Sequence, residues 1–186
     1  MAMVRLDNKA LCIKLLRAES EQEVTDLLSE HGLLDVKHWN VLGDMPNNRA
    51  MVNNQQQDPT GALVEKITNS IDAMLTRESF RLGISPESAK APATMTEAAE
   101  RFFSIKEGNL ENLTSSQLTE LAENIQVVAT GSKSEPCYLI IDHGEGQTPA
   151  RFKETFLALV RTNKAKIKFV QGKFNCGGTG VLPFCG

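Results

Sequence analysis

Three polar residues recur at helical spacing in the segment that follows Asp58. Glu65, Asn69 and Asp72 stand four and three residues apart, so at about 100° per residue they share one side of a helix. The apolar residues of the segment fall on the opposite side: Leu63, Val64, Ile67, Ile71 and Met74. The pattern predicts a helix that packs on a sheet through its apolar face and presents a carboxylate, an amide and a second carboxylate on the other. An ordinary solvated helix face has the same pattern.

A second candidate group, an aspartate followed by two glycines, comes after an apolar run. Asp142, Gly144 and Gly146 come directly after residues 138–141. A carboxylate at a strand end can accept a hydrogen bond from a ligand, and glycines leave bare backbone for a flat ring such as a purine. A tight turn after a strand also favours Asp and Gly, so this pattern is weak by itself.

A third group is the glycine-dense segment 171–180. Its successive N–H groups could wrap the oxygens of a polyphosphate, although a surface loop is equally consistent with the glycines. The segment lacks both GxxxxGK followed by Ser or Thr and GxGxxG after a strand, which excludes two common nucleotide-binding folds. The candidate binding residues here are Gly172, Lys173, Phe174, Gly177, Gly178 and Gly180.

Together and in this order, the three groups resemble the motifs of the GHKL (Bergerat-fold) ATPase superfamily, which includes DNA gyrase, MutL, the large heat-shock chaperone and histidine kinases. The segment ALVEKITNSIDAML is similar to ExxxNxxDA, IIDHGEGQT to DxGxG and VQGKFNCGGTG to GxFGxG, with Asn175 at the middle glycine. The matching residues are Glu65, Asn69, Asp72 and Ala73, then Asp142, Gly144 and Gly146, then Gly172, Phe174 and Gly177.

The resemblance implies ATP and Mg²⁺ as cofactors and gives the motif residues roles. Asn69 would coordinate the Mg²⁺ that bridges the phosphates, Asp142 would hold the adenine amino group, and the segment 172–180 would close over the triphosphate. Asp72, Gly144 and Gly146 would belong to the same nucleotide site. Glu65 would be the general base that orients and deprotonates the attacking water, because a metal-bound triphosphate mainly needs a positioned nucleophile and charge neutralisation.

Two observations bear on the branch of the family and its activity. Histidine kinases generally have Asn or His where this chain has Glu65, so the glutamate favours hydrolysis over phosphotransfer to histidine. The letters SIDA, and more loosely residues 161–164, are similar to the gyrase and MutL branch. We therefore expect a Mg-dependent module that binds ATP and acts as a nucleotide-controlled conformational or dimerisation switch in a larger protein. Hydrolysis with Glu65 as the base is expected if the full fold is completed. The alternative is a non-catalytic interaction module, a truncated or decayed relative that binds a partner and does not turn over ATP.

Capping residues and periodicity predict the elements that position these groups. Helices are expected at Asp7–Arg17, from Ser20 to Gly32, from Asp58 to about Leu82, and roughly at 96–103 and 115–124. A hairpin is expected from the runs Ile125–Thr130 and Cys137–Asp142. A further helix is expected after Thr148 and Pro149, with Phe152, Phe156, Leu157 and Val160 on it.

These elements predict an α+β fold with helices on one face of a mixed, mostly antiparallel sheet. The resemblance implies the GHKL ATP-binding fold, incomplete at the C-terminus, because the family fold continues beyond the third motif. We expect an N-terminal helical segment and linker at 1–57 and a partial ATP-binding domain at 58–186, with a helical insertion at about 84–124. Residues 164–186 should be the least regular, and the open sheet edge favours self-association as a homodimer or pairing with missing C-terminal domains.

Composition excludes several other classes of protein. Of the 186 residues, 41% are apolar and 23% are charged, the balance of a globular chain. With 20 basic and 23 acidic side chains, the net charge of -3 does not support a nucleic-acid surface. The four cysteines show neither CxxC spacing nor the framework of a small secreted domain, so we expect reduced thiols in a cytoplasmic protein. None of the three histidines pairs with a cysteine at zinc-ligand spacing. No apolar run is long enough for a signal peptide or a membrane span.

Overall fold

The computed structural model describes residues 7–48, 50, 52, 57–134, 136–155, 157, 159, 164–172 and 178–184. The chain divides into two compact units, one up to Pro46 and the other from Asn47 on. The division into a segment 1–57 and an ATP-binding domain 58–186 stays a prediction. Among the described helices, none has the length and apolar composition that a membrane span requires.

The first unit contains two short helices, α1 (Asn8–Arg17) and α2 (Glu21–Glu30), and 3₁₀ turns at Val36–His38 and Leu42–Asp44. The Asp7 carboxylate accepts hydrogen bonds from the first N–H groups of α1, and the Ser20 hydroxyl accepts one from Glu23 N. These side chains satisfy N–H groups that have no partner inside the helix. Both predicted helices are confirmed.

The long helix α3 (Pro59–Arg81) carries the first motif. Asp58 accepts hydrogen bonds from Thr60 N and Gly61 N, and Pro59 occupies the first turn, where its missing N–H costs nothing. The helix ends before Gly83, whose φ of +70° is a conformation that glycine adopts without strain. Both ends lie where the sequence predicts them.

The orientation of α3 differs from the prediction. Val64 and Ile71, which belong to the predicted packing face, are 56% and 39% exposed, whereas Asp72 on the predicted open face is fully buried. Polar side chains can be buried on this helix because backbone groups satisfy them: the Thr76 hydroxyl donates to Asp72 O and the Ser79 hydroxyl to Ile84 O. The helix therefore packs on several sides, and its apolar periodicity does not identify the covered one.

The predicted insertion contributes to the hydrophobic core. It contains α4 (Met95–Phe103) and α5 (Ser115–Ala122), with short 3₁₀ turns at Lys106–Gly108 and Leu110–Asn112 between them. The rings of Phe102 on α4 and Phe169 meet edge to face, with centroids 6.0 Å apart. The buried residues of this cluster are Leu75, Ala98, Ile167, Phe169 and Val170. Helix α4 is thus part of the core that joins α3 to the segment before the third motif.

The predicted hairpin is confirmed. Strands β1 (Ile125–Gly131) and β2 (Pro136–Asp142) pair antiparallel, with Ile125 opposite Asp142. The described part of the chain therefore has an α+β fold with a two-stranded antiparallel sheet, and the larger mixed sheet stays a prediction. Apolar side chains of the hairpin remain exposed, among them Leu139 and Ile141.

The helix predicted after Thr148 is not formed in the described residues. The N–H groups of Arg151 and Glu154 bond carbonyls three residues back, that of Thr155 bonds one four back, and that of Leu157 bonds one five back. A regular α-helix repeats the four-residue bond, so residues 149–155 form overlapping turns. Residues 156, 158 and 160 of this predicted helix lie outside the described part.

The core position of Phe169 gives a first prediction. Replacing it by alanine should lower the free energy of unfolding by about 3–5 kcal/mol, because a buried ring is lost and a cavity is left against Phe102. The matched control is Phe80→Ala on α3, where the ring is 55% exposed. Urea unfolding of both variants measures the difference, and equal costs would contradict the assignment of Phe169 to the core.

Candidate functional site

The second motif packs directly against α3. At Gly144, an added Cβ would lie 2.4 Å from Ala73 Cβ and 2.7 Å from Asp142 Oδ1. The next residue, Glu145, donates its N–H to Ala73 O at 3.2 Å. Only glycine allows this approach, so the two motifs are in contact. Gly144 is used here for packing between protein segments, whereas the sequence suggested bare backbone for a ligand.

The Asp142 carboxylate is held from two sides. Its Oδ1 accepts the N–H of Gly144 at 2.9 Å, and its Oδ2 accepts the hydroxyl of the buried Ser70 at 3.1 Å. Asp142 itself is exposed at the end of β2. A carboxylate has about four acceptor positions, so this fixed and exposed group retains acceptor capacity for a ligand donor.

The third motif meets α3 at Asp72. Gln171 N donates to both carboxylate oxygens of Asp72, at 2.9 and 3.1 Å, and Gly172 N donates to Oδ2 at 2.7 Å. A Cβ at Gly172 would lie 3.1 Å from Asn69 Oδ1 and 3.2 Å from Asp72 Oδ2. The start of the third motif therefore lies against Asn69 and Asp72, two of the three polar residues of the first motif.

The other described residues of the predicted site lie on α3, in the second motif and at the end of the third. Glu65 is half-buried on α3, one turn before Asn69. The Lys66 ammonium donates to Gly178 O, which ties the end of the third motif to the same helix. Gly180 is buried, and no atom of the described residues lies within 4 Å of the positions where a Cβ would stand at Gly146 and Gly178. Lys173, Phe174 and Gly177 lie outside the described residues.

Arg77 joins α3 to the base of the hairpin. Its guanidinium donates to His143 O and lies 3.5 Å from Asn124 Oδ1. It also pairs with the buried Glu78, which binds Arg81 as well. Burial raises the pKa of the Glu78 carboxyl, but the hydrogen bonds and charges of the two arginines outweigh it, so this pKa lies below the ordinary value.

Glu145 lies between the two glycines of the second motif. Although this residue keeps an exposed surface, desolvation raises the pKa of its carboxyl, and the charges of Lys164 and Arg151 oppose that rise. Positive charge from the segment after the hairpin is therefore near this turn.

Sequence reasoning missed three residues that hold the motifs together: Ser70, Lys66 and Arg77. Each lies on α3 within or beside the first motif, but none is a motif letter. Helical spacing offers a signal for two of them, because Ser70 and Arg77 stand seven residues apart and so lie on the same side of the helix. Their partners are more than forty residues away in sequence, and the sequence alone does not pair them.

No family model, curated protein or solved structure matches this chain.

The close packing at Gly144 gives a second prediction. Gly144→Ala should destabilise the protein by about 1–3 kcal/mol, because the new methyl group overlaps Ala73 and Asp142. Gly178→Ala is the control, since its Cβ position has no neighbour within 4 Å in the part of the chain that the structure describes. Adding Ala73→Gly to the first variant should recover part of the loss, which a double-mutant cycle in urea measures. A cost no larger than that of Gly178→Ala would show that the two segments are not in contact.

The buried ion pairs of Glu78 give a third prediction. Because its folded-state pKa is lowered, the carboxylate contributes stability above the ordinary pKa of glutamate and loses it as the pH falls through the lowered pKa. Glu78→Gln should therefore cost about 1.5–3 kcal/mol at pH 7, and the difference from wild type should shrink toward pH 3. Urea unfolding across this range, with the exposed Glu100→Gln as control, tests it. A difference that is independent of pH would contradict the assignment.

Proposed function

We propose that this chain is a Mg-dependent ATP-binding domain of the GHKL type and that it hydrolyses ATP. The observation that carries the proposal is the convergence of two distant segments, the second and third motifs, on α3, which carries the first. Gly144 lies against Ala73, Asp142 accepts from Ser70, and Gly172 lies against Asn69. A chance resemblance in three short motifs does not require them to meet, whereas a shared nucleotide site does.

The chemistry of Asp142 supports adenine recognition. Its carboxylate is exposed, and it is oriented by the Ser70 hydroxyl and the Gly144 N–H. An acceptor that is fixed before binding loses little entropy when it takes a hydrogen bond from an exocyclic amino group. We assign Asp142 as the acceptor for the adenine amino group, with Gly144 and Gly146 forming the turn beside it.

The donor set on α3 suits a magnesium triphosphate. Mg²⁺ prefers oxygen ligands and is usually held by one or two protein groups together with substrate phosphates and water. Asn69 offers its Oδ1 at the edge of the third motif, and bound Mg²⁺ would neutralise charge on the phosphates. Glu65, one turn away, would orient the attacking water and accept its proton. We assign Gly172, Gly178 and Gly180 to the phosphate side of the site, together with Lys173, Phe174 and Gly177.

In this proposal the domain is a nucleotide-controlled switch in a cytoplasmic protein. ATP and ADP are its ligands, and a second copy or further domains respond to the nucleotide state. Such a switch works only through a difference in affinity for the nucleotide between two conformations. The gyrase, MutL and chaperone branch fits better than the histidine kinases, because Glu65 provides a base for hydrolysis.

One observation favours the alternative of a non-catalytic interaction module. The hairpin exposes apolar side chains, among them Val127, Tyr138, Leu139 and Ile141. Exposed apolar surface of this kind is common where proteins bind each other. A module of this type would bind a partner without any response to nucleotide.

Nucleotide binding gives a fourth prediction. Mg-ATP at about 100 times its Kd should stabilise the protein by about 2.7 kcal/mol, which raises the Tm by several degrees. Asp142→Asn should remove most of this shift, since the amide no longer matches the donors around it, whereas the exposed Asp26→Asn should not. Differential scanning fluorimetry with Mg-ATP, Mg-ADP and Mg-GTP measures it.

Hydrolysis is tested with Glu65 in the same series. Glu65→Gln should keep the Mg-ATP shift but lose phosphate release by at least about 100-fold, the effect expected when a general base is removed. Glu97→Gln, on α4, is the control. Absence of any nucleotide-dependent shift in wild type at millimolar Mg-ATP would reject the proposal and favour the interaction module.

A further inference from the structure

Asp72 is a buried carboxylate that backbone groups satisfy. Its exposed fraction is 0%, and it accepts three hydrogen bonds from the N–H groups of Gln171 and Gly172. The described residues form no ion pair with it. Burying a charge without a cation is costly, and charge-assisted hydrogen bonds from successive N–H groups offset that cost. The carboxylate therefore holds these two residues strongly.

Gly172 lies directly beside the Asn69 side chain. The Cβ position of Gly172 lies 3.1 Å from Asn69 Oδ1 and 3.2 Å from Asp72 Oδ2. Asn69 Oδ1 and Asp72 Oδ2 therefore both lie next to the backbone of Gly172. Because Asp72 stands three residues after Asn69 on α3, one rigid helix carries both groups. Whatever holds Gly172 on Asp72 also determines the surroundings of Asn69.

We propose that Asp72 is a positioning residue that holds Gln171 and Gly172 on α3 and so keeps the Asn69 amide in place, without itself touching the nucleotide. This assignment rests on the proposed function for the role of Asn69 as a magnesium ligand. It differs from the direct nucleotide contact that the family resemblance implies for Asp72. A buried carboxylate whose oxygens already bond the backbone has no face open to a ligand.

Amide hydrogen exchange tests the holding role without any ligand. In Asp72→Asn, one acceptor oxygen becomes an NH₂ group that faces N–H donors, so exchange at Gln171 and Gly172 should accelerate at least tenfold. Ser79→Ala is the matched control, because Ser79 is a buried residue of α3 that bonds Ile84 instead. It should leave exchange at Gln171 and Gly172 unchanged. Unchanged exchange in Asp72→Asn would overturn the proposal.

Nucleotide affinity tests the connection to Asn69. Asp72→Asn should raise the Kd for Mg-ATP at least tenfold but leave the Kd for adenosine without Mg²⁺ within twofold, because adenosine has no phosphates to bring a metal. Asp142→Asn should weaken both ligands. If Asp72→Asn lowers the affinity for Mg-ATP and for adenosine equally, the variant has lost structure generally, and the proposal is overturned.

Gly172→Ala separates position from charge. This variant keeps the Asp72 carboxylate but places a methyl group against Asn69, so it should weaken Mg-ATP like Asp72→Asn, and the two changes together should weaken it less than the product of the single effects. Ser79→Ala, on α3 but outside the proposed nucleotide site, is its control. If Asp72→Asn weakens Mg-ATP binding and Gly172→Ala does not, the charge of Asp72 alone affects binding, and the proposed positioning role is wrong. If wild type binds neither ligand, the proposed function fails, while the exchange experiment still decides whether Asp72 holds Gln171 and Gly172.

Discussion

Burial of the Asp72 carboxylate constrains how the larger unit of this protein is assembled. A charged group in the interior needs strong hydrogen-bond donors, and here the N–H groups of Gln171 and Gly172 provide them. Those two residues can reach α3 only if residues 167–170 are packed beside the helix. The hydrogen bonds that satisfy the buried carboxylate therefore depend on the packing of the apolar core around Phe169. Loss of either should weaken the other, because they share one short segment of chain.

Close backbone approach is the second constraint, and it acts at two of the motif glycines, Gly144 and Gly172. Gly144 and Gly172 each lie where a side chain would overlap groups on α3. From the sequence, Gly144 is expected to leave bare backbone for a flat ring and Gly172 to present its N–H to a polyphosphate. In the structure, these two glycines bring separate segments within van der Waals contact of one helix. Gly146 and Gly178, whose Cβ positions are open, are better placed to leave room for a ligand.

The segment between the first two motifs, which the sequence predicts to be an insertion, contributes side chains to the hydrophobic core. Helix α4 places Ala98 and Phe102 against the same core that holds the segment before the third motif. An insertion that only decorated the surface would not bury these side chains. Because α4 contacts both α3 and this segment, it helps to determine where Gln171 and Gly172 lie. The polar site and the insertion thus depend on one hydrophobic cluster.

The sequence by itself determined the local structure: the ends of α1, α2 and α3, the approximate positions of α4 and α5, and the hairpin. Caps, glycines and strand propensity act within a few residues, so they can be read without knowing the fold. It also singled out Asn69, Asp72, Asp142, Gly144 and Gly172, which the structure brings to one helix. The buried side of α3, the turns after Thr148 and the bonds of Asp72 and Ser70 were decided only by tertiary structure. Those outcomes depend on partners from distant segments, because a polar residue is buried wherever the rest of the chain can supply its hydrogen bonds.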